Sequence, residues 1–285
     1  SNGTMVQNQN LLPPELLSKV MRILKGLNSR MPDFLKDTRG YTLVEVLVAA
    51  TIGIIMLGVV ISIFVQEDKV IQKESEETNI RAKGRHVLKV LAKEIRMAGF
   101  GLPPDVGVTD ISATDSVTFR ANLDDVRTTT PPGAVGTNAV SLNDTDITVV
   151  NGSGFTNGDS IVIYDPGFRD YELNSVSGSP TATSLPLGTA VASTYTYATN
   201  SRLVTVNKYN TLIIYQDGIT IKKDIDGTVS TIISDPSILD LTFTYDSATA
   251  AEVDKIGITL KMVDPDDPSS GVIEFNSDVS LRNSS

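Results

Sequence analysis

Residues 41–65 read YTLVEVLVAATIGIIMLGVVISIFV, an apolar run broken by one charge, Glu45. As a helix, a run of roughly 25 residues is long enough to cross a hydrocarbon core of about 30 Å with some tilt. Lys36 and Arg39 precede it, and Gln66, Glu67 and Asp68 follow. The positive flank therefore lies at the N-terminal end, which predicts a cytoplasmic start and an extracytoplasmic remainder beyond residue 66. The core of a cleaved secretory signal is shorter, about 7–15 residues, and ends at a small-x-small site. This run is longer and leads into charged, helix-forming sequence, so it reads as a retained anchor.

From Gln66 to Ala98 the chain turns polar but contains no proline. Val70, Ile80, Gly84, Val87, Leu88, Leu91, Ile95 and Ala98 recur mostly at steps of three or four, the stripe of a helix that packs one face on a core. The spacing predicts that the membrane helix continues outward, on the order of 87 Å if unbroken from Tyr41 to Ala98. Gly99, Gly101, Pro103 and Pro104 should end it. Beyond them the pattern becomes β, with runs at 117–120, 146–150, 160–164, 203–206, 211–216, 219–223, 239–245, 255–263 and 272–280. Asp217-Gly218 and Asp226-Gly227 are hairpin signals between such runs. Segments 121–145 and 165–200, rich in Thr, Ser, Gly, Pro and Asn, read as long loops and as the surface most exposed to partners. The expected fold class is α+β: a long N-terminal transmembrane and stalk helix packed on a mostly antiparallel sheet head.

The first forty residues are polar, broken by Pro13, Pro14 and Pro32, and carry one apolar stretch, 16–27, too short to span a membrane. Met31 opens MPDFLKDTRG directly before the span, so either translation starts there or all forty residues are made and removed together. The chain of 285 residues carries a net charge of -10, which argues against a dominant nucleic-acid surface. It has no cysteine and one histidine, His86, so thiol chemistry, the common catalytic dyads and multi-histidine metal sites are excluded within one chain. His86 sits among Lys83, Arg85 and Lys89 beside the stripe and reads as a surface or boundary residue. Asp264, Asp266 and Asp267, and the pair Asp124 and Asp125, lack the spacing of a calcium loop and read as solvated turns. No cofactor, metal or catalytic residue is expected.

The informative cluster is Gly40, Tyr41, Thr42, Leu43, Val44 and Glu45. Glycine before a cut can enter a peptidase site in extended form, and cutting after Gly40 exposes a new amine at Tyr41. A carboxylate within a membrane helix costs roughly 2.5–3.5 kcal/mol on the lenient insertion scale, so Glu45 calls for a cation. The Tyr41 amine, one helical turn away, is the nearest in sequence. The pair can form within one chain or between a subunit and its neighbour.

RGYTLVEVLVA resembles the class III signal of type IV prepilins and pseudopilins, with tyrosine where phenylalanine is more usual. The resemblance implies cleavage between Gly40 and Tyr41 by prepilin peptidase, N-methylation of Tyr41, and an intermolecular pair through Glu45. KVLAKEIRMAGFG at 89–101, GFTNGDSIVIYD at 154–165, ILDLTFTYD at 238–246 and SLRN at 280–283 resemble, in that order, the larger minor pilins of the PilW type, which are related to J-type pseudopilins. The large head, the lack of a terminal cysteine pair, and Ser62 in place of a helix-bending proline depart from major pilins. The implied layout is a leader at 1–40, a transmembrane helix at 41–65, its stalk continuation at 66–98 and a β-rich extracytoplasmic head at 99–285. The implied role is a non-enzymatic minor pilin, held in the inner membrane and then moved to a pilus tip or the cell surface, where it helps to start filament assembly and serves adhesion or motility. Its partners would be other pilins, the peptidase and the inner-membrane assembly platform. A type II secretion pseudopilin and a membrane-tethered adhesin or sugar-binding module are the alternatives. Gly53 and Gly58, flanked by β-branched residues, further predict an unwound stretch within an assembled filament.

Overall fold

Helix-compatible, proline-free sequence forms α1 (Leu43–Ile95), a single element of 53 residues. The computed structural model describes residues 42–197 and 203–281. The expected leader at 1–40, with Gly40, and Tyr41 lie outside the described residues, as does the end of the SLRN segment. Contacts divide the chain into two units, Ser1–Lys69 and Val70–Ser285. In the first, all described residues are exposed, and the helix runs through both Gly53 and Gly58.

In the second unit the buried stripe of α1 is Ile80, Gly84, Val87, Leu88, Leu91, Ala92 and Ile95. Val70, expected in the stripe, is 57% exposed, because the buried cluster begins only at Ile80. The helix closes three residues before the expected Ala98. Three-residue hydrogen bonds from Met97 N to Glu94 O (3.1 Å) and Ala98 N to Ile95 O (2.9 Å) tighten its end. Gly99 then takes a φ of 73° and donates its N–H to Arg120 O at 2.8 Å, turning the chain onto the sheet.

The strands that follow begin with β1 (Val108–Asp110), β2 (Ser116–Ala121), β3 (Arg127–Thr129), β4 (Asn138–Val140) and β5 (Asp146–Thr148). β6 (Ser160–Asp165), β7 (Asp170–Ser175), β8 (Ser184–Pro186) and β9 (Tyr195–Thr196) come next. Then come β10 (Thr205–Asp217), β11 (Thr220–Ile225), β12 (Thr228–Ser234), β13 (Ile238–Tyr245), β14 (Lys255–Met262) and β15 (Ile273–Ser280). All these pairings are antiparallel. The main sheet runs β1-β2-β10-β11-β12, while β3 and β6 pair with the first part of β10 and β7 extends β6. A separate sheet runs β13-β14-β15.

Two expectations need correction. The runs at 203–206 and 211–216 are not separate strands but lie largely in β10, 13 residues long. The polar stretch between them stays extended because Lys208 is held by Asp124 (2.7 Å) and Asp159 (3.0 Å), and Tyr209 lies under the Arg120 guanidinium. The segments 121–145 and 165–200 are not long loops. They contain β3, β4, β7, β8 and β9, which build a second core around Val140, Ile147, Ile163, Leu185, Tyr195 and Val206. The first core joins the α1 stripe to β2, the second half of β10 and β13–β15, through Phe119, Ile214, Phe243 and Leu260. Both hairpin signals hold. Gly218 (φ 61°) opens the loop closed by Asp217 and Thr220, and Asp226 (49°) with Gly227 (87°) forms the loop closed by Ile225 and Thr228.

Candidate functional site

The first turn of α1 is set by Thr42, which stands just outside the helix. Its carbonyl accepts from Glu45 N (3.0 Å) and Val46 N (3.2 Å), and its Oγ1 also accepts from Glu45 N at 3.3 Å. Thr42 is thus an N-cap that satisfies one of the donors a helix start leaves open. Thr42-Leu-Val-Glu45 is also the residue pattern of a capping box, with the acid three places after the cap. Glu45 therefore lies in the first turn, where the positive end of the helix dipole favours a carboxylate. Farther along, Thr51 Oγ1 returns a hydrogen bond to Leu47 O, so this hydroxyl needs no outside partner in an apolar medium.

From Leu43 through Val65 the surface of α1 is nearly all apolar and fully open: Leu43 is 80% exposed and Ile54 70%. Among the described residues one helix is long and apolar enough to cross a membrane, and none of its apolar window is buried. Leaving such a surface in water costs on the order of 25 cal/mol per Å², so it belongs in lipid or against other helices.

The remaining charged residues are placed elsewhere. His86 is exposed on α1. Asp124 pairs with Lys208, and Asp125 lies 3.6 Å from Arg127. Asp264 is buried and accepts from Asp266 N at 2.9 Å. Glu76, exposed on α1, has its carboxyl pushed up from its ordinary value by partial loss of hydration and then by Asp264, Asp266 and Asp267. Among the described residues no group of three or more acidic or histidine side chains is placed to hold a metal ion.

Residues 35–61 match the prokaryotic N-terminal methylation motif. This N-terminal segment is prepilin-like. The motif covers Lys36, Arg39, Gly40, Tyr41, Glu45 and most of the apolar run, and it supports a structural, pilin- or pseudopilin-like role with membrane association. Comparison with curated proteins and with solved structures gave no match. The α+β layout expected from the sequence, one long apolar N-terminal helix followed by an antiparallel β domain, is the one observed. Of the expected site residues, Glu45 is placed on the first turn of α1, while Gly40 and Tyr41 lie outside the described residues. Thr42 stands in the informative cluster, but its capping role is not part of the sequence reading; the signal for it is the Thr-x-x-Glu pattern preceding an apolar run.

Proposed function

We propose that this protein is a minor pilin subunit: cut between Gly40 and Tyr41 by prepilin peptidase, N-methylated at Tyr41, and assembled into or at the tip of a type IV pilus, where it helps to initiate the filament. The observation that carries this reading is the methylation motif at 35–61, which runs into a helix whose apolar surface has no partner among the described residues. In the membrane that surface faces lipid. In the filament it faces the corresponding helices of other pilins, and Glu45 pairs with the Tyr41 amine of a neighbour. That pairing fixes the register of one subunit against the next, because an unmatched carboxylate in an apolar bundle is costly. Residues 1–40 are then the leader, 41–65 the span, 66–98 the stalk and 99–285 the extracytoplasmic head, with the start of the chain in the cytoplasm. The assembly platform and the peptidase act on the span from the inner membrane.

The test is the N-terminal mass of the protein recovered from membranes and from sheared filaments, in wild type and in Glu45→Ala. The expected result is a methylated Tyr41 start in both wild-type fractions, and a Glu45→Ala protein that is cut normally but missing from filaments. A retained leader overturns the processing, and mutant protein in filaments at the wild-type level overturns the role of Glu45.

A further inference from the structure

The described residues between 122 and 209, the first part of β10 included, form a lobe inserted between β2 and the second part of β10. Its two ends meet, since Ala121 and Asn210 are paired partners on adjacent strands. No residue from 124 to 211 enters the core under α1, and the lobe has a core of its own.

An open groove of about 460 Å³ lies on this lobe, lined in part by Arg127, Thr129, Asn151, Thr205 and Asn207. Arg127 is opposite Asn207 and Thr129 opposite Thr205 in the β3–β10 ladder, so these four side chains share one face. Thr128 and Val206, between them, point the other way, and Val206 belongs to the lobe's core. Asn207 is only 8% exposed, yet its amide has no hydrogen bond to another described residue and is not sealed off from the groove. Reachable from the groove and without a partner among the described residues, that amide is left to water, which a ligand that both donates and accepts would replace. Charge narrows the class. Arg127 has Asp125 at 3.6 Å, so the groove offers amides, hydroxyls, the exposed Val150 side chain and a guanidinium with an acid beside it, on a chain whose overall charge is -10. Side chains that donate and accept at one point match hydroxyls on adjacent carbons, which do the same.

We propose that this groove binds a neutral saccharide, with the Asn207 amide engaging two adjacent hydroxyls on its floor and Thr205, Thr129 and Arg127 holding the rest of the ring. The site is separate from the helix and does not depend on the pilin assignment.

The test uses the full chain in detergent micelles against immobilised neutral tetrasaccharides of glucose, mannose, galactose and N-acetylglucosamine, with polygalacturonate as the acidic comparison. Saturable binding to at least one neutral tetrasaccharide is expected, weakened about tenfold by Asn207→Leu and by the near-isosteric Thr205→Val, the effect of one lost hydrogen bond. Arg127→Ala, at an exposed position, should weaken it several-fold and leave the fold intact. Binding to no neutral tetrasaccharide, a preference for polygalacturonate, or affinities unchanged in both Thr205→Val and Arg127→Ala would overturn the proposal. N-terminal processing, measured on the same preparations, reports on the pilin assignment independently.

Discussion

Gly84 shows how a single residue sets the approach of α1 to the sheet. A Cβ placed there would come within 2.4 Å of the Phe275 ring, so glycine is what lets that ring rest on the helix. Gly84→Ala should gain up to about 1 kcal/mol of helix propensity and lose about 1–3 kcal/mol to overpacking. The expected net effect is a lower thermal midpoint, and in a Phe275→Leu background the same substitution should become neutral or stabilising, because the obstructing ring is gone. Thermal unfolding of the four proteins checks the reversal of sign. Glu76 gives a pH prediction. Its carboxyl is raised in the folded state, so folding is favoured below its unfolded value, and that advantage is lost as pH rises through the folded value. Glu76→Gln should therefore raise the midpoint at pH 7 and leave it unchanged at pH 3. At this scale the sequence was partly legible. Glu45 is conspicuous as the lone charge in an apolar run, whereas Asn207 is an ordinary polar residue in a polar stretch until the ladder places it opposite Arg127.

Among the elements, those that declare themselves locally were readable. The apolar run of α1 needs no partner to be recognised, and Asp226-Gly227 carries its turn in two residues with positive φ. Gly227→Ala should cost about 1–2 kcal/mol, the penalty of a left-handed backbone for a residue with a Cβ, read as a shifted denaturation midpoint with unchanged slope. The attachment of α1 depends on two ion pairs of opposite sense, Lys83 with Asp235 at 3.1 Å and Glu94 with Lys223 at 2.8 Å. Burial works to raise the Asp235 carboxyl, but the Ser237 N–H and Lys83 outweigh it and hold it below its ordinary value. That contribution is present above the unfolded value and lost as pH falls through the folded one, so acid should loosen the helix, and Lys83→Met should remove part of this acid sensitivity. Hydrogen exchange along residues 80–95 as a function of pH checks it. Several of the strands that escaped the sequence, β4, β8 and β9 among them, are short and paired at long range. β4 meets β9, and β8 meets β5, itself an expected strand, across stretches of Thr, Ser and Gly, and such partners cannot be read from alternation over two or three residues.

The second unit of the molecule carries two cores joined through one long strand. Because the ends of the inserted lobe meet at Ala121 and Asn210, replacing 122–209 by a two-residue Asn-Gly turn should leave the helix-bearing core folded. Circular dichroism and cooperative unfolding of the shortened protein check this, and loss of all cooperative unfolding would show that the cores are interdependent. Leu102 and Val106 lose both Val162 and Tyr209 in that protein, so some loss of stability is expected. The continuity of β10 also determines how the lobe bears load. A pull on the lobe would draw β10 lengthwise against β2 and β11, which flank its second half in six paired positions each. Rungs pulled along the strand share the force and yield together, whereas rungs peeled from one end yield singly. A lobe hung from the middle of the sheet by such a strand is a tether loaded in shear.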